Sequence, residues 1–458
     1  MSLLADQGYW ERRLKELLRG VSAPGAVLAI QHRDAVITCA AGRANLATRA
    51  PVTTDTLFPI ASITKVYTAT LAMQLVDDGL LDLDEPIRAY LPEFQVADER
   101  TTRELTARHL LTHTSGLDGD KEDTYGRGDD ALERFVAGCA DLGQIHELGA
   151  TFSYCNSGYV ILGRLIEVLR GKTWDAAIVD HLLAPLGATS SGTLPEDVIW
   201  RSVAAPHQTG GDDQAELLDA WELERSHGPA GGLVAAAEDV LRFARLHLRG
   251  GVADDGTRLL SEASVAAMRQ PAVTLPDPDS GTTHWGLGWE LVRRTGAPDL
   301  IGHGGDLLGH HAQLTICPDA DLALVLVVNG DGADRMADVL FRGALAEVGA
   351  SLPDPVAPPA RTPDVDLEAV AGTYATIAVQ ATLTPAGDRL DARFRVVAER
   401  IAELLPESQR ERRLVLIPLS STQFVVQPGD DEPWVSAVFY ESGGERYLHM
   451  GLRAMRER

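Results

Sequence analysis

The stretch Phe58-Pro59-Ile60-Ala61-Ser62-Ile63-Thr64-Lys65 lies where a helix is predicted to begin, because apolar residues continue at helix-compatible steps to Leu81. Ser62 and Lys65 are three positions apart, so their side chains share one helix face. A serine hydroxyl is a weak nucleophile, and an amine held beside it can accept its proton. A helix start also leaves backbone N–H groups free, which favours negative charge near Ser62. Taken alone, however, the tetrad predicts only a capped helix followed by a solvated lysine.

The segments around this helix predict an α+β domain. Helical spacing of apolar residues is present over 8–20, 105–117, 157–170 and 334–348, and short apolar runs predict strands over 26–31, 35–41, 313–317 and 322–328. Strands at both ends with helices between them indicate one sheet completed by both ends of the domain.

The composition changes after this domain. Residues 352–365 are rich in proline and predict a stiff, extended linker, which separates a domain at 1–351 from a smaller one at 366–458. The last segment has short alternating strands with polar turns, which are predicted at 380–384, 390–396, 414–418, 424–427, 435–440 and 447–452. This pattern is typical of a small β-barrel or sandwich.

Four further phrases follow the Ser-x-x-Lys tetrad in order: Leu110-Leu-Thr-His-Thr-Ser-Gly-Leu117, Tyr154-Cys155-Asn156, Gly231-Gly232-Leu233 and Gly302-His303-Gly304-Gly305. Each is ordinary alone, but the five in this order make chance implausible. Over residues 20–345 the chain resembles the serine β-lactamase and penicillin-binding-protein superfamily, especially its class C-like, peptidase S12-type branch. The resemblance implies an antiparallel sheet flanked by helices, an all-α lobe and a C-terminal lipocalin-like barrel.

The same resemblance implies roles for individual residues. Ser62 would be the acylated nucleophile, while Lys65 and Tyr154 would share the base role through a phenol whose pKa a nearby ammonium lowers. His303, on the strand edging the pocket, would deliver a proton or orient the incoming nucleophile. Asn156 would bind the substrate's amide carbonyl.

The backbone N–H groups of Ser62 and Asp306 would form the oxyanion hole, with Gly304 and Gly305 beside the substrate. Arg453, near the C-terminus, is a candidate contact for a substrate carboxylate or carbonyl, and an exposed arginine is the alternative.

Other interpretations of these residues stay open. Without the resemblance, Tyr154 would be read as a core aromatic residue, and His310 and His311 lie close enough to His303 to compete for its role. The pair His109 and His113 has the i, i+4 spacing of a zinc site, but no HExxH pattern accompanies it, so a structural role is preferred. No metal or cofactor is expected, and the absence of a GxSxG elbow argues against an α/β-hydrolase.

Charge and composition exclude several functions. The formal net charge of −25 argues against nucleic acid or an anionic membrane as partner. No apolar run approaches the ~18 residues of a membrane span, and the first residues lack the basic-then-apolar pattern of a signal peptide. Four scattered cysteines suggest reduced thiols. We therefore expect a cytoplasmic protein.

Catalytic members of the superfamily form an acyl-enzyme, and the acceptor decides the reaction. The layout resembles two cytosolic groups, the D-amino-acid-specific peptidases and the stand-alone penicillin-binding-protein-type thioesterases of actinomycetes, such as the surugamide cyclases. The second is preferred, which implies a peptide thioester substrate with a D-configured C-terminal residue, delivered by a peptidyl carrier protein and closed head to tail. The alternatives are an esterase, a D-stereospecific aminopeptidase, a DD-carboxypeptidase or β-lactamase-like hydrolase, and a non-catalytic peptide-binding protein. Oligomeric state is left open.

Overall fold

A computed structural model describes residues 3–210, 214–218, 224–405, 407–429 and 433–458. The strands of its larger, N-terminal part are β1 (Gly25–His32), β2 (Ala35–Asn45), β3 (Ala50–Pro51), β4 (Phe58–Pro59), β5 (His207–Thr209), β6 (Ala215–Leu217), β7 (Val234–Ala235), β8 (Val273–Thr274), β9 (His284–Trp285), β10 (Glu290–Val292), β11 (Leu300–Leu307), β12 (His310–Cys317) and β13 (Leu322–Val328). Within the described residues, nine of them form one antiparallel sheet in the order β3-β2-β1-β13-β12-β11-β10-β9-β8.

The helices of this part are α1 (Gln7–Leu18), α2 (Thr64–Asp77), α3 (Glu99–Glu104), α4 (Ala107–Leu111), α5 (Ala131–Ala137), α6 (Asn156–Arg170), α7 (Trp174–Ile178), α8 (Pro195–Val198), α9 (Gly228–Gly231), α10 (Ala237–Leu248), α11 (Glu262–Met268) and α12 (Ala333–Ala346). The pairing of β1 with β13 confirms that both ends of the domain complete the sheet.

Strand β13 shows why the sheet needs a helical layer on each face. Its alternate residues enter two separate cores: Val325 and Val327 face the core built with α2, α6 and α10, whereas Leu324 and Leu326 face the core built with α1 and α12. A strand covered on both faces is apolar at every position, so the sequence shows a continuous apolar run instead of an alternation.

The smaller, C-terminal part is a closed barrel. Its strands are β14 (Gly372–Ala375), β15 (Val379–Ala386), β16 (Arg389–Val396), β17 (Glu411–Pro418), β18 (Gln423–Val426), β19 (Val435–Ser442), β20 (Glu445–Met450) and β21 (Arg453–Glu457). Helix α13 (Glu399–Leu404) lies between β16 and β17. The pairing of β14 with β21 closes the ring, so that no strand among the described residues of the barrel is left at a free edge. The fold class predicted from the sequence is therefore confirmed.

Two predicted elements differ from the structure. The helix predicted over 105–117 ends early, because α4 stops at Leu111 and His113 takes a left-handed backbone conformation with φ of 56°. The single strand predicted over 447–452 is followed by a turn at Gly451 and Leu452, whose φ values are 58° and 67°, and Arg453 begins β21.

The barrel is joined to the larger part by buried and half-buried hydrogen bonds. Asp118 accepts the backbone N–H of Ile377 at 2.8 Å, and Nε2 of His146 is 2.7 Å from the Tyr440 hydroxyl. Ala454 donates its N–H to the hydroxyl of Ser153 at 3.2 Å. These contacts join β19, β21 and the turn between β14 and β15 to residues 118–153 of the larger part, which precede α6.

Two further properties concern the described residues. All four cysteines are buried, and each is a free thiol. No helix in the described ranges combines the length and apolar character that crossing a bilayer would require.

Candidate active site

Ser62 lies in a tight turn that is held from two sides. A short 3-10 turn, Ala61–Ile63, precedes α2, and Ala61 has a φ of 49°, a strained value for a residue other than glycine. The N–H of Ile60 donates to the carbonyl of Leu233 at 2.9 Å, and the N–H of Leu233 donates to the hydroxyl of Thr64 at 3.0 Å. The Gly-Gly-Leu phrase therefore anchors the nucleophile turn.

Lys65 is completely buried behind Ser62. Its ammonium nitrogen, Nζ, lies 3.0 Å from the Ser62 hydroxyl and 2.6 Å from the carbonyl oxygen of Ala230. Burial, reinforced by the positive charge of Arg453, lowers the pKa of Lys65 to about 7. At neutral pH a large fraction of the side chain is thus an uncharged amine, which can take the serine proton.

Tyr154 completes this group, but its protonation differs from the prediction. The phenol hydroxyl is hydrogen-bonded to the Ser62 hydroxyl, and the ring centre lies 4.9 Å from Lys65 Nζ. Burial raises the pKa of Tyr154 far above its ordinary value, although the bond to Ser62 and the charge of Arg453 oppose the change. The expectation of a lowered phenol pKa is wrong, because burial outweighs the nearby cation. Of the two groups, Lys65 is therefore the one that is partly neutral near pH 7, whereas the phenol stays protonated.

His113 supports Tyr154 from behind. The two rings stack at 4.3 Å, and Nδ1 of His113 accepts the N–H of Cys155 at 3.0 Å, while the carbonyl of His113 accepts the N–H of Ser153. Burial lowers the pKa of His113 well below its ordinary value, so the ring is neutral. This residue fixes the short segment that carries the phenol.

The alternative of a zinc pair at His109 and His113 finds no support. His109 reaches back to Thr106 at the start of α4, with Nδ1 3.2 Å from the Thr106 nitrogen, whereas His113 faces Cys155. Among the residues the structure describes, no group of three or more metal-binding side chains is brought together.

Arg453 enters the site from the barrel. Its guanidinium lies 5.1 Å from the ring centre of Tyr154 and makes a two-pronged ion pair with Asp120, at 2.6 and 3.1 Å. Asn156, the first residue of α6, donates to the same Asp120 carboxylate at 2.9 Å. The structure thus brings both predicted residues together on Asp120, which no sequence pattern indicated.

Strand β11 forms the opposite wall. Gly305 packs so closely on the Ser62 turn that a Cβ there would collide with the carbonyl oxygen of Ile60. Strand β11 therefore lies directly against the Ser62 turn at Gly305, and the oxyanion hole at the backbone N–H groups of Ser62 and Asp306 stays a prediction. The Asp306 side chain points away and accepts from Nδ1 of His311 at 2.7 Å. Burial opposes the charge on His311, but hydrogen bonds to Asp306 and Asp331 raise its pKa to about 10.

His303 also lies on β11 and is 2 % exposed. Its Nδ1 is 2.5 Å from the carbonyl oxygen of Gly304, which can only accept, so Nδ1 carries the proton and Nε2 is unprotonated. Burial, with the charge of Lys65, lowers the pKa of His303 to about 3. Glu290 lies beside it, with a carboxylate oxygen 3.8 Å from Nδ1. The sequence did not predict this residue, because the short strand β10 contains no recognisable motif.

Comparison with known families fits this geometry. The model of the β-lactamase family matches residues 10–348. The chain belongs to the β-lactamase family. This confirms the resemblance to β-lactamase and penicillin-binding-protein-type serine hydrolases, and the activity of such proteins depends on an acylated serine.

Three relatives of this β-lactamase-family chain extend the comparison. It is 43 % identical over 372 residues to penicillin-binding protein 4 of Amycolatopsis lactamdurans, covering 81 % of this chain and 97 % of that protein. It is 28 % identical over 348 residues to a D-aminopeptidase of Brucella anthropi, covering 74 % and 63 % of the two chains. The crystal structure of SurE superimposes with a TM-score of 0.78 and 30 % identity over 99 % of both chains, and SurE with D-Leu gives a TM-score of 0.76.

Proposed function

We propose that this protein is a stand-alone penicillin-binding-protein-type thioesterase that releases and macrocyclises a nonribosomal peptide with a D-configured C-terminal residue. The observation that carries the proposal is the buried amine of Lys65 held 3.0 Å from the Ser62 hydroxyl, with Arg453 of the barrel 5.1 Å from the ring centre of Tyr154. The likeness to SurE supports the whole arrangement, since it extends over both domains.

Acylation would begin with proton transfer from the Ser62 hydroxyl to the neutral amine of Lys65. The serine oxygen attacks the thioester carbonyl, and the N–H groups of Ser62 and Asp306 stabilise the oxyanion. When the tetrahedral intermediate collapses, the C–S bond breaks and the thiolate takes the proton from Lys65. Tyr154, hydrogen-bonded to Ser62, holds the serine oxygen in line and can relay this proton.

Release would use the peptide's own N-terminal amine. The amine nitrogen forms a bond to the carbonyl carbon of the Ser62 ester and loses a proton to Lys65; the C–O bond then breaks, and this proton passes to the serine oxygen, directly or through Tyr154. The unprotonated Nε2 of His303 is available to hold the incoming amine in its neutral form. Because a macrocycle needs a folded-back chain, a walled pocket raises the effective concentration of the amine relative to water.

The acyl-residue pocket is proposed to select a D-residue. Asn156 can donate to the carbonyl of the acyl residue, and Arg453 can contact a carbonyl or carboxylate, since its pairing with Asp120 leaves part of the guanidinium facing the ring of Tyr154. SurE with D-Leu is a solved relative and supports this preference. The expected donor is a peptidyl carrier protein.

The test uses two synthetic thioesters of one linear peptide, ending in the D- or the L-residue. The proposal expects a product with the mass of the free acid less one water from the D-peptide, and little turnover of the L-peptide. Linear acid as the sole product would refute cyclisation.

A second candidate is a D-stereospecific aminopeptidase, which the D-aminopeptidase relative favours. It would give only hydrolysis in the same test and would cleave D-aminoacyl amides. Esterases, DD-carboxypeptidases and β-lactamase-like hydrolases would likewise give acid products. A peptide-binding protein without activity would leave both thioesters intact and Ser62 unlabelled by a fluorophosphonate.

A further inference from the structure

A cavity of about 580 Å³ adjoins the catalytic group and extends away from it. It lies between β10, β11 and β12 of the sheet, helix α12, the proline-rich segment at 352–356 and the barrel. His303 and Leu452 line its end nearest the catalytic group, while Ser62, Lys65 and Tyr154 are outside its lining. Its volume is within the range of about 300–1,000 Å³ that is typical of ligand pockets.

The lining of this cavity is rich in acidic side chains. Among the residues that the structure describes, six carboxylates line it, against two guanidinium groups, those of Arg335 and Arg342. Arg342 is already paired with one of the six, Asp338, at 2.6 Å. The acidic residues are Asp277, Asp279, Glu290, Asp334, Asp338 and Asp354.

Glu290 is the carboxylate nearest the catalytic group. It accepts the hydroxyl of Thr282 at 3.2 Å and the N–H of Gly304 at 3.3 Å, so its oxygens are held in place. The cationic side chains of the described residues form no ion pair with it; its one titratable neighbour at ion-pair distance is His303, at 3.8 Å. A pKa of about 3 leaves that imidazole uncharged. Burial raises the pKa of Glu290, although the hydrogen bonds from Gly304 and Thr282 oppose the change, so a cation bound here would stabilise its carboxylate form.

A second observation points to a ligand at the same place. Nε2 of His303 is buried and has no hydrogen-bond partner within the described residues, although His303 lines the cavity. A buried polar atom without a partner is unfavourable, and a bound polar group would satisfy it. The farther end of the cavity offers apolar contacts instead, from Phe341, Leu352 and Val356.

We propose that this cavity is a subsite for the amine-bearing end of the peptide substrate, with Glu290 contacting its ammonium group. The inference rests on the proposed function, because it takes the substrate to be a peptide acyl donor. Binding the N-terminal ammonium here places its nitrogen next to His303, and once it has lost a proton to water the neutral amine is the nucleophile; the apolar side chains of the same peptide would lie against α12 and the linker.

The test compares two thioesters of one peptide without basic side chains, the first with a free N-terminal amine and the second N-acetylated. Thiol release gives kcat/KM for acylation of the wild type by each. We expect the free-amine substrate to be preferred by about tenfold, which corresponds to about 1.4 kcal/mol. Glu290→Gln can still accept the N–H of Gly304 with its amide oxygen and donate its amide NH₂ to the Thr282 hydroxyl, but it removes the charge and should bring this ratio close to one.

Two further variants keep the test decisive. Asp277→Asn, a buried carboxylate of the same cavity, should lower the ratio in part, whereas Asp319→Asn, an exposed acid on the turn between β12 and β13, should leave it unchanged. Equal ratios in Glu290→Gln and the wild type, with thiol released from both substrates, would overturn the subsite while leaving acyl transfer intact. If the wild type released thiol from neither substrate, the proposed function would fail, and the subsite with it.

Discussion

The backbone N–H of Tyr154 donates to the carbonyl of Leu452 at 2.9 Å, so a turn of the barrel holds the segment that carries the phenol beside Ser62. The side chain of Leu452 also packs in a small apolar cluster with Phe152, Tyr154 and Trp285. Arg453 follows directly and stacks on the same phenol. The barrel is thus part of the active-site wall.

The position of Arg453 leads to a prediction about pH dependence. Its charge helps to lower the pKa of Lys65, while Asp120 opposes that effect. Arg453→Met should therefore raise the pKa of Lys65. The acidic limb of the plot of acylation rate against pH should then move to higher pH by about one unit. The rate of Ser62 labelling by a fluorophosphonate, measured from pH 5 to 10, reports this limb.

The opposite change provides the control. Asp120→Asn removes an anion that favours the ammonium form of Lys65, and should move the same limb to lower pH. Shifts of the same sign in both variants would contradict the electrostatic explanation.

The wild-type profile itself tests the role of Lys65. Since the reactive form is the neutral amine and its pKa is about 7, acylation should fall tenfold per unit below that pH and level off above it. Lys65→Met should reduce the plateau by about 10²- to 10⁴-fold, the usual contribution of a general base. A profile without an inflection between pH 6 and 8 would argue for another base.

The packing of β11 on the nucleophile turn predicts a sensitive glycine. Gly305→Ala should displace β11 from Ile60 and lower acylation by at least about tenfold, because an oxyanion hole depends on exact donor positions. Gly343→Ala is the matched control, because Gly343 lies inside α12 and a Cβ there would be 3.8 Å from the ring of Trp10, an ordinary contact. Alanine favours the helix over glycine, so this variant should be more stable by up to about 1 kcal/mol. Kinetics and thermal unfolding of both variants provide the comparison.

His113 and His109 should behave differently when each is replaced by alanine. His113→Ala removes a buried ring stacked on Tyr154 and a hydrogen bond to Cys155, so both kcat and stability should fall, the latter by about 2–4 kcal/mol. His109→Ala loses only contacts at the start of α4 and should reduce stability by about 1 kcal/mol with kcat retained. Equal losses of kcat would show that the support of Tyr154 is not specific to His113.

Much of the fold was predictable from local patterns. The helix after Ser62, the strands β1 and β13 and the C-terminal barrel follow from the spacing of apolar residues and turn residues, which sequence displays directly. The end of α4 could not be predicted in this way. The left-handed conformation of His113 is imposed by its contacts with Ser153 and Cys155, and nothing in residues 105–117 requires it.

The candidate site was predictable only where ordered motifs carried it. The structure brings Ser62, Lys65 and Tyr154 together and places His303 on the adjoining wall, but the roles of these residues stay predictions until variants are measured. Asp120 was missed because its partner Arg453 is 333 positions away, and no local pattern encodes such a pair. The direction of the Tyr154 pKa was also out of reach, since it depends on burial by residues from both domains.

The most direct measurement is the intact mass of the protein during turnover of a peptide thioester that ends in a D-residue. The account predicts a transient mass increase equal to the peptide acyl group, located on Ser62 by digestion, absent in Ser62→Ala, and decaying as cyclic peptide appears. Turnover without an adduct on Ser62, or an adduct that decays only to the linear acid, would contradict it.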